Sequence, residues 1–222
     1  MNKTIKIALD GPSGSGKSTI AKRLSAELNI LYLDTGAMYR ATALKALDLG
    51  IDTLDEEAVS VFLNDLNLKI KYENGTQQTY LDDENVSSKI REPQVSMAAS
   101  NISSLKCVRL KMVEMQRKIA AETSCVLDGR DIGSFVLPNA DYKFFITASV
   151  KVRTNRRYKE LVAKGFQVDY NDLQKEIEER DYNDSHRDFA PLVKAKDAIE
   201  IDTSNMDIEQ VVLTVLSHIK GL

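Results

Sequence analysis

A glycine-rich stretch near the start of the chain, residues 11–18, carries the residue types that bind phosphate. It fits the pattern GxxxxGK followed by Ser or Thr at every fixed position. Glycine lets backbone amides approach a ligand, and the helix predicted to follow directs its positive end to the same place. Lys17 supplies a point charge for the β- and γ-phosphates, and the Ser18 hydroxyl is the expected Mg²⁺ ligand. The stretch therefore predicts a site for a Mg²⁺-bound nucleoside triphosphate, although a glycine-rich turn that merely joins a strand to a helix is the alternative. The residues predicted to bind the triphosphate are Gly11, Pro12, Ser13, Gly14, Ser15, Gly16, Lys17, Ser18 and Thr19.

Two further strand ends carry polar residues. The apolar run Ser124 to Asp128 closes on an acid, which in a phosphate-loop protein commonly holds Mg²⁺, directly or through water. Asp128 is thus a candidate metal ligand, at even weight with an ordinary turn Asp. After the run Ile30 to Leu33, Thr35, Tyr39 and Arg40 are candidates for a second substrate, because carboxyl ends of parallel strands face the ligand crevice. Spacing alone favours an ordinary N-cap at Thr35 and a solvated residue at Arg40.

Arginines cluster late in the chain at helical spacing. They are Arg153, Arg156 and Arg157 on one predicted helix, and Arg180 and Arg187, together with Asp184, on the next. A solvated helix pair with surface charge pairs accounts for this pattern by itself. Beside a triphosphate site, the same pattern is typical of a mobile cover that brings guanidinium groups onto the transferring phosphoryl group.

The elements that must position these residues alternate between apolar runs and amphipathic segments. The predicted strands are Thr4–Asp10, Ile30–Leu33, Ser124–Asp128, Tyr142–Thr147 and Ala198–Asp202, and the clearest predicted helices are Ser18–Leu28, Val108–Glu122 and Asp207–Ile219. This alternation predicts an α/β fold of the doubly wound P-loop type, with a parallel five-stranded sheet flanked by helices.

Residues 53–104 interrupt the alternation. Leu68–Tyr72 and Gln77–Leu81 lie on either side of Asn74-Gly75, which is the signal of an antiparallel hairpin. A hairpin inside a βαβ chain is interpreted as a small inserted lobe at one lip of the crevice. The predicted division of this single domain is a core of residues 1–52, 105–148 and 190–222, an insertion of about 53–104, and a helical lid of about 149–189.

Composition narrows the class of protein. The 222 residues are 43% hydrophobic and 28% charged with a net charge of −3, so no global basic field indicates a nucleic acid polymer as partner. Cys107 and Cys125 lie far apart, which argues against a disulfide framework or a zinc site. No stretch has the length of a signal peptide or membrane span, so we expect a cytoplasmic chain without membrane partners.

The sequence favours phosphoryl transfer over hydrolysis. The guanine-reading and γ-phosphate-sensing motifs of GTPase switches do not occur, and Gly129 rather than Glu follows Asp128. Several arginines at predicted strand ends and lips suggest an acceptor that is itself a phosphate ester. They are Arg40, Arg91, Arg109, Arg130, Arg180 and Arg187. The acceptor oxygen of a nucleoside monophosphate is largely ionised already, so transfer needs no general base.

Four motifs, in this order and spacing, resemble the bacterial cytidylate kinase family over essentially the whole chain. They are Asp10–Thr19, Asp34–Arg40, Asp128–Gly133 and Glu179–Arg187. The resemblance implies Mg²⁺- and ATP-dependent phosphorylation of CMP and dCMP in the cytoplasm, with an inserted NMP-binding lobe and a closing lid. A monomer is the default expectation for its assembly.

The resemblance also implies roles for individual residues. Those implied to hold the acceptor phosphate are Arg40, Arg130 and Arg187; to read or pack near cytosine, Ser100, Arg109, Asp131 and Tyr39; and to contact the sugar, Thr35, Arg180 and Asp184. Arg157 is implied to reach the donor or the transferring group, so Lys17, Arg130, Arg157 and Arg187 form the candidate catalytic set. The family often has Ser where this chain has Thr35, which leaves the preference between CMP and dCMP open.

Two alternatives to this function remain at the level of sequence. One is a kinase for another nucleoside monophosphate, UMP or AMP. The other is a nucleotide-binding regulator that keeps the phosphate loop and transfers nothing.

Overall fold

A computed structural model of the chain describes residues 4–73 and 75–219. The strands are β1 (Lys6–Asp10), β2 (Leu31–Asp34), β3 (Leu68–Glu73), β4 (Thr76–Leu81), β5 (Glu84–Asn85), β6 (Cys125–Gly129), β7 (Tyr142–Thr147) and β8 (Ile199–Asp202). The α-helices are α1 (Lys17–Leu28), α2 (Thr35–Asp48), α3 (Glu56–Leu63), α4 (Pro93–Ile102), α5 (Lys106–Glu122), α6 (Val150–Ala163), α7 (Tyr170–His186) and α8 (Ile208–Ser217). Lys89–Arg91 forms a short 3₁₀-helix and Ile132–Val136 a π-helix. Among the residues described, no helix has the length and apolar character that a membrane span requires.

The predicted parallel sheet is confirmed. Its strand order is β2-β6-β1-β7-β8, and β1 pairs in parallel with both β6 and β7, as β7 does with β8. The register sets Leu9 opposite Asp128 and Asp10 opposite Gly129. Since β1 lies in the middle of the sheet, the loop that follows it leaves between the carboxyl ends of β6 and β7.

One apolar cluster fixes β1 under its covering helices. Ile7 and Leu9 on β1 pack with Ile20 and Leu24 on α1, and all four are buried. Ile20 and Leu24 recur at helical spacing, so a single face of α1 meets the sheet. The start of α1, and with it the phosphate loop, is thereby fixed relative to the end of β1.

The chain packs as two compact units, of which one is Leu33–Glu122. Within this unit the predicted hairpin is confirmed, because β3 and β4 are antiparallel, although Asn74 of its turn lies outside the described residues. The short strand β5 and the helix α4 were not predicted. A proline at the first position suits a helix start, and α4 begins at Pro93. The boundaries of the insertion and of the lid stay predictions.

Two helices follow β7. Leu161 on α6 packs with Leu173 and Ile177 on α7, which gives the pair a small core of its own. Helix α7 ends at His186, so the prediction that Arg187 continues its helical face was wrong. Arg187 has the extended backbone angles φ −65° and ψ 145°, and its Nε donates to the Ala190 carbonyl instead.

Gly11→Ala is expected to destabilise the fold by more than about 3 kcal/mol, because its Cβ would have no room. Gly11 has φ +144°, and a Cβ placed there would lie 2.0 Å from the Ile146 carbonyl oxygen, an atom of strand β7. The matched control is Gly165→Ala, at φ +84° with nothing within 4 Å. This control should cost only the left-handed conformation, about 1–2 kcal/mol. Urea unfolding measures both, and equal losses would contradict the packing argument.

Candidate active site

The phosphate loop has the strand, loop and helix order that the sequence predicts. Gly11, Gly14 and Gly16 all have positive φ, at 144°, 76° and 95°. Gly16 is the N-cap of α1 and makes no side-chain cap hydrogen bond. The first amides of a helix have no partner within the helix, so this end of α1 suits an anion.

Lys17 is the first residue of α1, and its side chain is buried beside this loop. Its Nζ donates to the Pro12 carbonyl at 2.6 Å and to Ser15 Oγ at 3.2 Å. Burial, and then the positive charge of Arg130, lower the pKa of Lys17 well below its ordinary value. The carboxylates of Asp128 and Asp10 oppose that shift. An anion at the loop would favour the charged ammonium further.

The two predicted metal ligands lie together. Ser18 Oγ donates to Asp128 Oδ2 at 2.6 Å, and the Tyr32 hydroxyl donates to Asp128 Oδ1 at 3.0 Å. Asp128 is buried near the end of β6, opposite Leu9 of β1. The parallel register of β1 and β6 therefore brings the start of α1 and the end of β6 to one place.

A buried network of opposite charges lies beyond the end of β6. Arg130 Nε donates to Asp184 Oδ2 at 2.7 Å, and Arg187 lies 3.7 Å from Asp184 and 3.8 Å from Asp131. Burial raises the pKa of Asp184, but Arg130, Arg180 and Arg187 outweigh it and hold the pKa below its ordinary value. The structure thus brings together five of the predicted acceptor residues from two distant parts of the chain.

The other predicted acceptor residues belong to the unit Leu33–Glu122. The Arg109 guanidinium lies over the Tyr39 ring, 5.5 Å from its centroid, and its Nη1 donates to the Ser103 carbonyl at 3.1 Å. Arg109 is only 1% exposed, so protein groups rather than water surround its guanidinium. Thr35 and Arg40 lie on α2, and Ser100 lies on α4.

Asp34 organises the start of α2, a role that was not predicted from the sequence. Its carboxylate is the N-cap, accepting from the Ala37 amide at 2.9 Å, and it pairs with Arg91 at 2.5 Å. Gln77 of β4 accepts from the Asp34 amide at 2.8 Å and donates to its carbonyl at 3.3 Å. Thr35 is the first residue of α2 rather than its N-cap. An acid before Thr-Gly is a local signal for a helix N-cap, whereas no local signal predicts the contact between Gln77 and Asp34.

The arginines of α6 divide into two groups. Arg153 is 3% exposed and donates to the Ser13 carbonyl at 3.1 Å and to both Asp181 oxygens, at 3.0 and 2.5 Å. Arg156 Nη1 donates to the Ser15 carbonyl at 3.4 Å. Arg157 is the arginine of α6 that belongs to the candidate catalytic set, and it donates to Glu160 on its own helix at 2.9 Å. The contacts with the phosphate loop therefore come from Arg153 and Arg156, which are not members of the candidate catalytic set.

Comparison with known proteins assigns the family. A family model described as cytidylate kinase matches residues 7–221. The chain belongs to the cytidylate kinase family. It is accordingly a kinase, an enzyme that transfers a phosphoryl group between nucleotides.

Curated cytidylate kinases match this member of the family over nearly their whole length. The cytidylate kinase of Clostridioides difficile is 51% identical over 213 residues, covering 96% of this chain and 97% of the relative. That of Caldicellulosiruptor bescii is 48% identical over 214 residues, covering 96% and 95%. The likeness therefore includes the inserted hairpin and the α6–α7 pair as well as the sheet.

Solved structures share the fold of this cytidylate kinase family member. An uncharacterized protein from Eubacterium ventriosum aligns with a TM-score of 0.51 at 16% identity, over 99% of this chain and all 100% of that chain. A gluconokinase from Sinorhizobium meliloti aligns with a TM-score of 0.50 at 12% identity, over 96% and 90%. At such identities the likeness establishes the fold alone.

Arg153→Lys is expected to destabilise the protein by about 2–3 kcal/mol and to raise the KM for ATP about fivefold. A lysine has one nitrogen and cannot replace the paired bonds to Asp181 together with the bond to Ser13. The control is Arg23→Lys on α1, whose side chain is 42% exposed and pairs with Glu209. We expect it to change stability by less than about 0.5 kcal/mol. Urea unfolding measures the stability of both variants, and kinetics at varied ATP concentration measures their KM. Equal effects in the two variants would contradict a role of Arg153 in holding the phosphate loop.

Proposed function

We propose that the chain transfers the γ-phosphoryl group of ATP to CMP or dCMP, forming ADP and CDP or dCDP. The observation that carries this proposal is a buried network of charged side chains at the carboxyl end of the sheet, where the phosphate loop begins. The network consists of Arg130, Asp131, Asp184 and Arg187. In a chain of the cytidylate kinase family, such a network beside a triphosphate loop suits a second, anionic nucleotide.

The donor would bind to the phosphate loop. Residues 11–19 would direct their amides at the phosphate oxygens of ATP, and Lys17 would exchange its contacts with Pro12 and Ser15 for phosphate. The lowered pKa of Lys17 follows mainly from burial, and the negative charge of a bound triphosphate would oppose that shift.

The residues near the loop fit a magnesium ion. Ser18 Oγ and Asp128 Oδ2 lie 2.6 Å apart, and both are oxygen atoms of the kind that Mg²⁺ prefers. Ser18 would bind the ion, and Asp128 would hold it directly or through water. When bound, the ion supplies charge neutralisation at the β- and γ-phosphates.

The acceptor phosphate would meet Arg40, Arg130 and Arg187. Guanidinium groups pair with phosphate through parallel hydrogen bonds, which fixes its direction as well as its position. Asp184 holds Arg130 and Arg187 in place, so their guanidinium groups are in position before the substrate arrives. The sugar would contact Thr35, Arg180 and Asp184.

Transfer then needs alignment rather than a base. An oxygen of the CMP phosphate, already ionised, attacks the γ-phosphorus as the bond to the bridging oxygen breaks and ADP leaves. Arg130, Arg187 and Lys17 would stabilise the charge on the transferring group. Arg157 would join them after leaving Glu160, its partner here. Closure of the lid, about residues 149–189, and of the insertion, about 53–104, would exclude water.

Base selection would depend on donor and acceptor chemistry. The Asp131 carboxylate accepts hydrogen bonds, so it suits the exocyclic amine of cytosine and not the carbonyl of uracil. Arg109 donates, so it suits the ring carbonyl and nitrogen, with Ser100 and Tyr39 completing the base site. Arg109 already rests on Tyr39, which fixes the direction of its donors.

We propose further that the enzyme works in the cytoplasm as a monomer on small-molecule substrates. Cys107 and Cys125 are both free, which fits a reducing compartment. Light scattering at micromolar concentration tests the monomer.

ADP release from ATP-Mg²⁺ with each of CMP, dCMP, UMP, AMP and GMP tests the proposed function. We expect CMP and dCMP to exceed UMP by at least about tenfold in kcat/KM, because of the two pyrimidine bases only cytosine presents an exocyclic amine to Asp131. Equal or greater turnover of UMP or AMP would identify a different monophosphate kinase. No turnover with any acceptor would identify a nucleotide-binding regulator.

Asp131→Ala should reduce the preference for CMP over UMP about tenfold and reduce kcat at saturating CMP by less than about threefold. The reason is that the carboxylate reads the base and takes no part in the transfer. Asp131→Asn is the matched variant, since its amide can donate to the uracil carbonyl, and it should raise UMP turnover. Steady-state kinetics with both acceptors checks this, and equal losses in preference and kcat would count against the role.

A further inference from the structure

Asp10, the last residue of β1, is buried and bonded to the loop that follows β6. Its Oδ1 accepts from the Ile132 amide and its Oδ2 from the Gly133 amide, each at 2.7 Å. Both hydrogen bonds are charge-assisted and shielded from water, since Asp10 is 4% exposed. A single carboxylate thus joins the residue before the phosphate loop to the residues after Asp131.

These two amides are the first of the π-helix Ile132–Val136. The residue at its N-cap is Asp131, and the Asp131 side chain makes no cap hydrogen bond. An aspartate at an N-cap ordinarily accepts from the amides just beyond it. Here Asp10 performs that role from another strand.

The Asp131 carboxylate is directed elsewhere. It lies 3.8 Å from Arg187, and both side chains are almost fully buried. The Asp131 backbone is fixed as well, because its carbonyl accepts from the amides of Phe135 at 2.9 Å and Val136 at 3.0 Å. Asp131 has φ −143° and ψ 25°, outside the extended region that an N-cap residue typically adopts, so the Ile132 and Gly133 amides depend on Asp10 for their acceptor.

We infer that Asp10 is a positioning residue for base recognition: by accepting hydrogen bonds from the Ile132 and Gly133 amides, it fixes the backbone that directs the Asp131 carboxylate. This inference rests on the proposed function, in which Asp131 reads cytosine. The tight packing at Gly133 supports it. A Cβ there would lie 3.1 Å from Lys143 Cδ and 3.3 Å from Asp10 Oδ2, closer than ordinary contact, so a side chain at residue 133 would press against the carboxylate.

Burial raises the pKa of Asp10 to about 6, and its hydrogen bonds with the Ile132 and Gly133 amides oppose that rise. An assay at about pH 8 therefore measures the ionised form, in which both oxygens accept. The Asp10→Asn side chain has one accepting oxygen and one donating nitrogen, so one of the two amides would face a donor. The backbone next to Asp131 is then expected to shift, and the Asp131 carboxylate with it.

The test is the preference for CMP over UMP in kcat/KM, measured for Asp10→Asn at about pH 8, well below its melting temperature. We expect the preference to fall about fivefold or more, with a higher KM for CMP. In the Asp131→Ala background the same change should have no further effect on the preference, because the group that it positions is gone. An unchanged preference, or an equal loss in both backgrounds, would overturn the inference.

Two further variants guard against a general loss of structure. Asp197→Asn removes the exposed partner of Lys143, which packs against the same π-helix, and should leave the preference unchanged. If Asp10→Asn does not fold, Gly133→Ala disturbs the same cap from its other side and should lower the preference in a folded protein. A retained preference in Gly133→Ala, or a lowered one in Asp197→Asn, would count against the positioning role.

Amide exchange separates this inference from the proposed function. The Ile132 and Gly133 amides should exchange at least about tenfold faster in Asp10→Asn than in the unaltered chain, whatever substrate the enzyme uses. Unaltered exchange would overturn the inference even if CMP is the substrate. Failure of the unaltered chain to phosphorylate CMP would instead refute the proposed function.

Discussion

Close packing between the end of β1 and the neighbouring β7 limits what the phosphate loop can be. At Gly11 the Ile146 carbonyl occupies the place of a side chain, so the chain must turn there as glycine alone can. The turn leads directly into α1, whose apolar face holds Ile20 and Leu24 against the sheet. The amides at the start of α1 are therefore fixed by packing rather than by the ligand, which suits preorganised binding of an anion.

Buried charge is the second organising feature, and it is balanced locally. Arg130 and Arg187 pair with Asp184, while Arg153 pairs with Asp181, which lies less than one helical turn before Asp184 on α7. Breaking such a pair would leave an uncompensated buried charge, which is costly, so these side chains have little freedom. Guanidinium groups held in this way present fixed donors to a phosphate without reorganising first.

Carboxylates at strand ends divide the remaining work. Asp128 meets Ser18, Asp34 caps α2 and pairs with Arg91, and Asp10 caps the π-helix that follows Asp131. Asp10 and Asp34 are the last residues of their strands and Asp128 is the last but one, and at this position an acid can accept from amides or hydroxyls of a nearby segment. Asp10 thus holds the backbone next to Asp131 from a neighbouring strand, while Asp131 is the residue proposed to read the base.

The sequence by itself determined the five-stranded parallel sheet, the hairpin and the phosphate loop, because hydrophobic periodicity and glycine spacing are local signals. It also predicted Ser18 and Asp128 as candidate metal ligands, and the two side chains are hydrogen-bonded to each other. Only the tertiary structure decided that Arg153 rather than Arg157 meets the phosphate loop, that Arg187 lies beyond α7, and that Asp10 caps a π-helix. The contacts of Arg153 and Asp10 join residues far apart in the chain, and their partners depend on strand order and register, which no local pattern encodes.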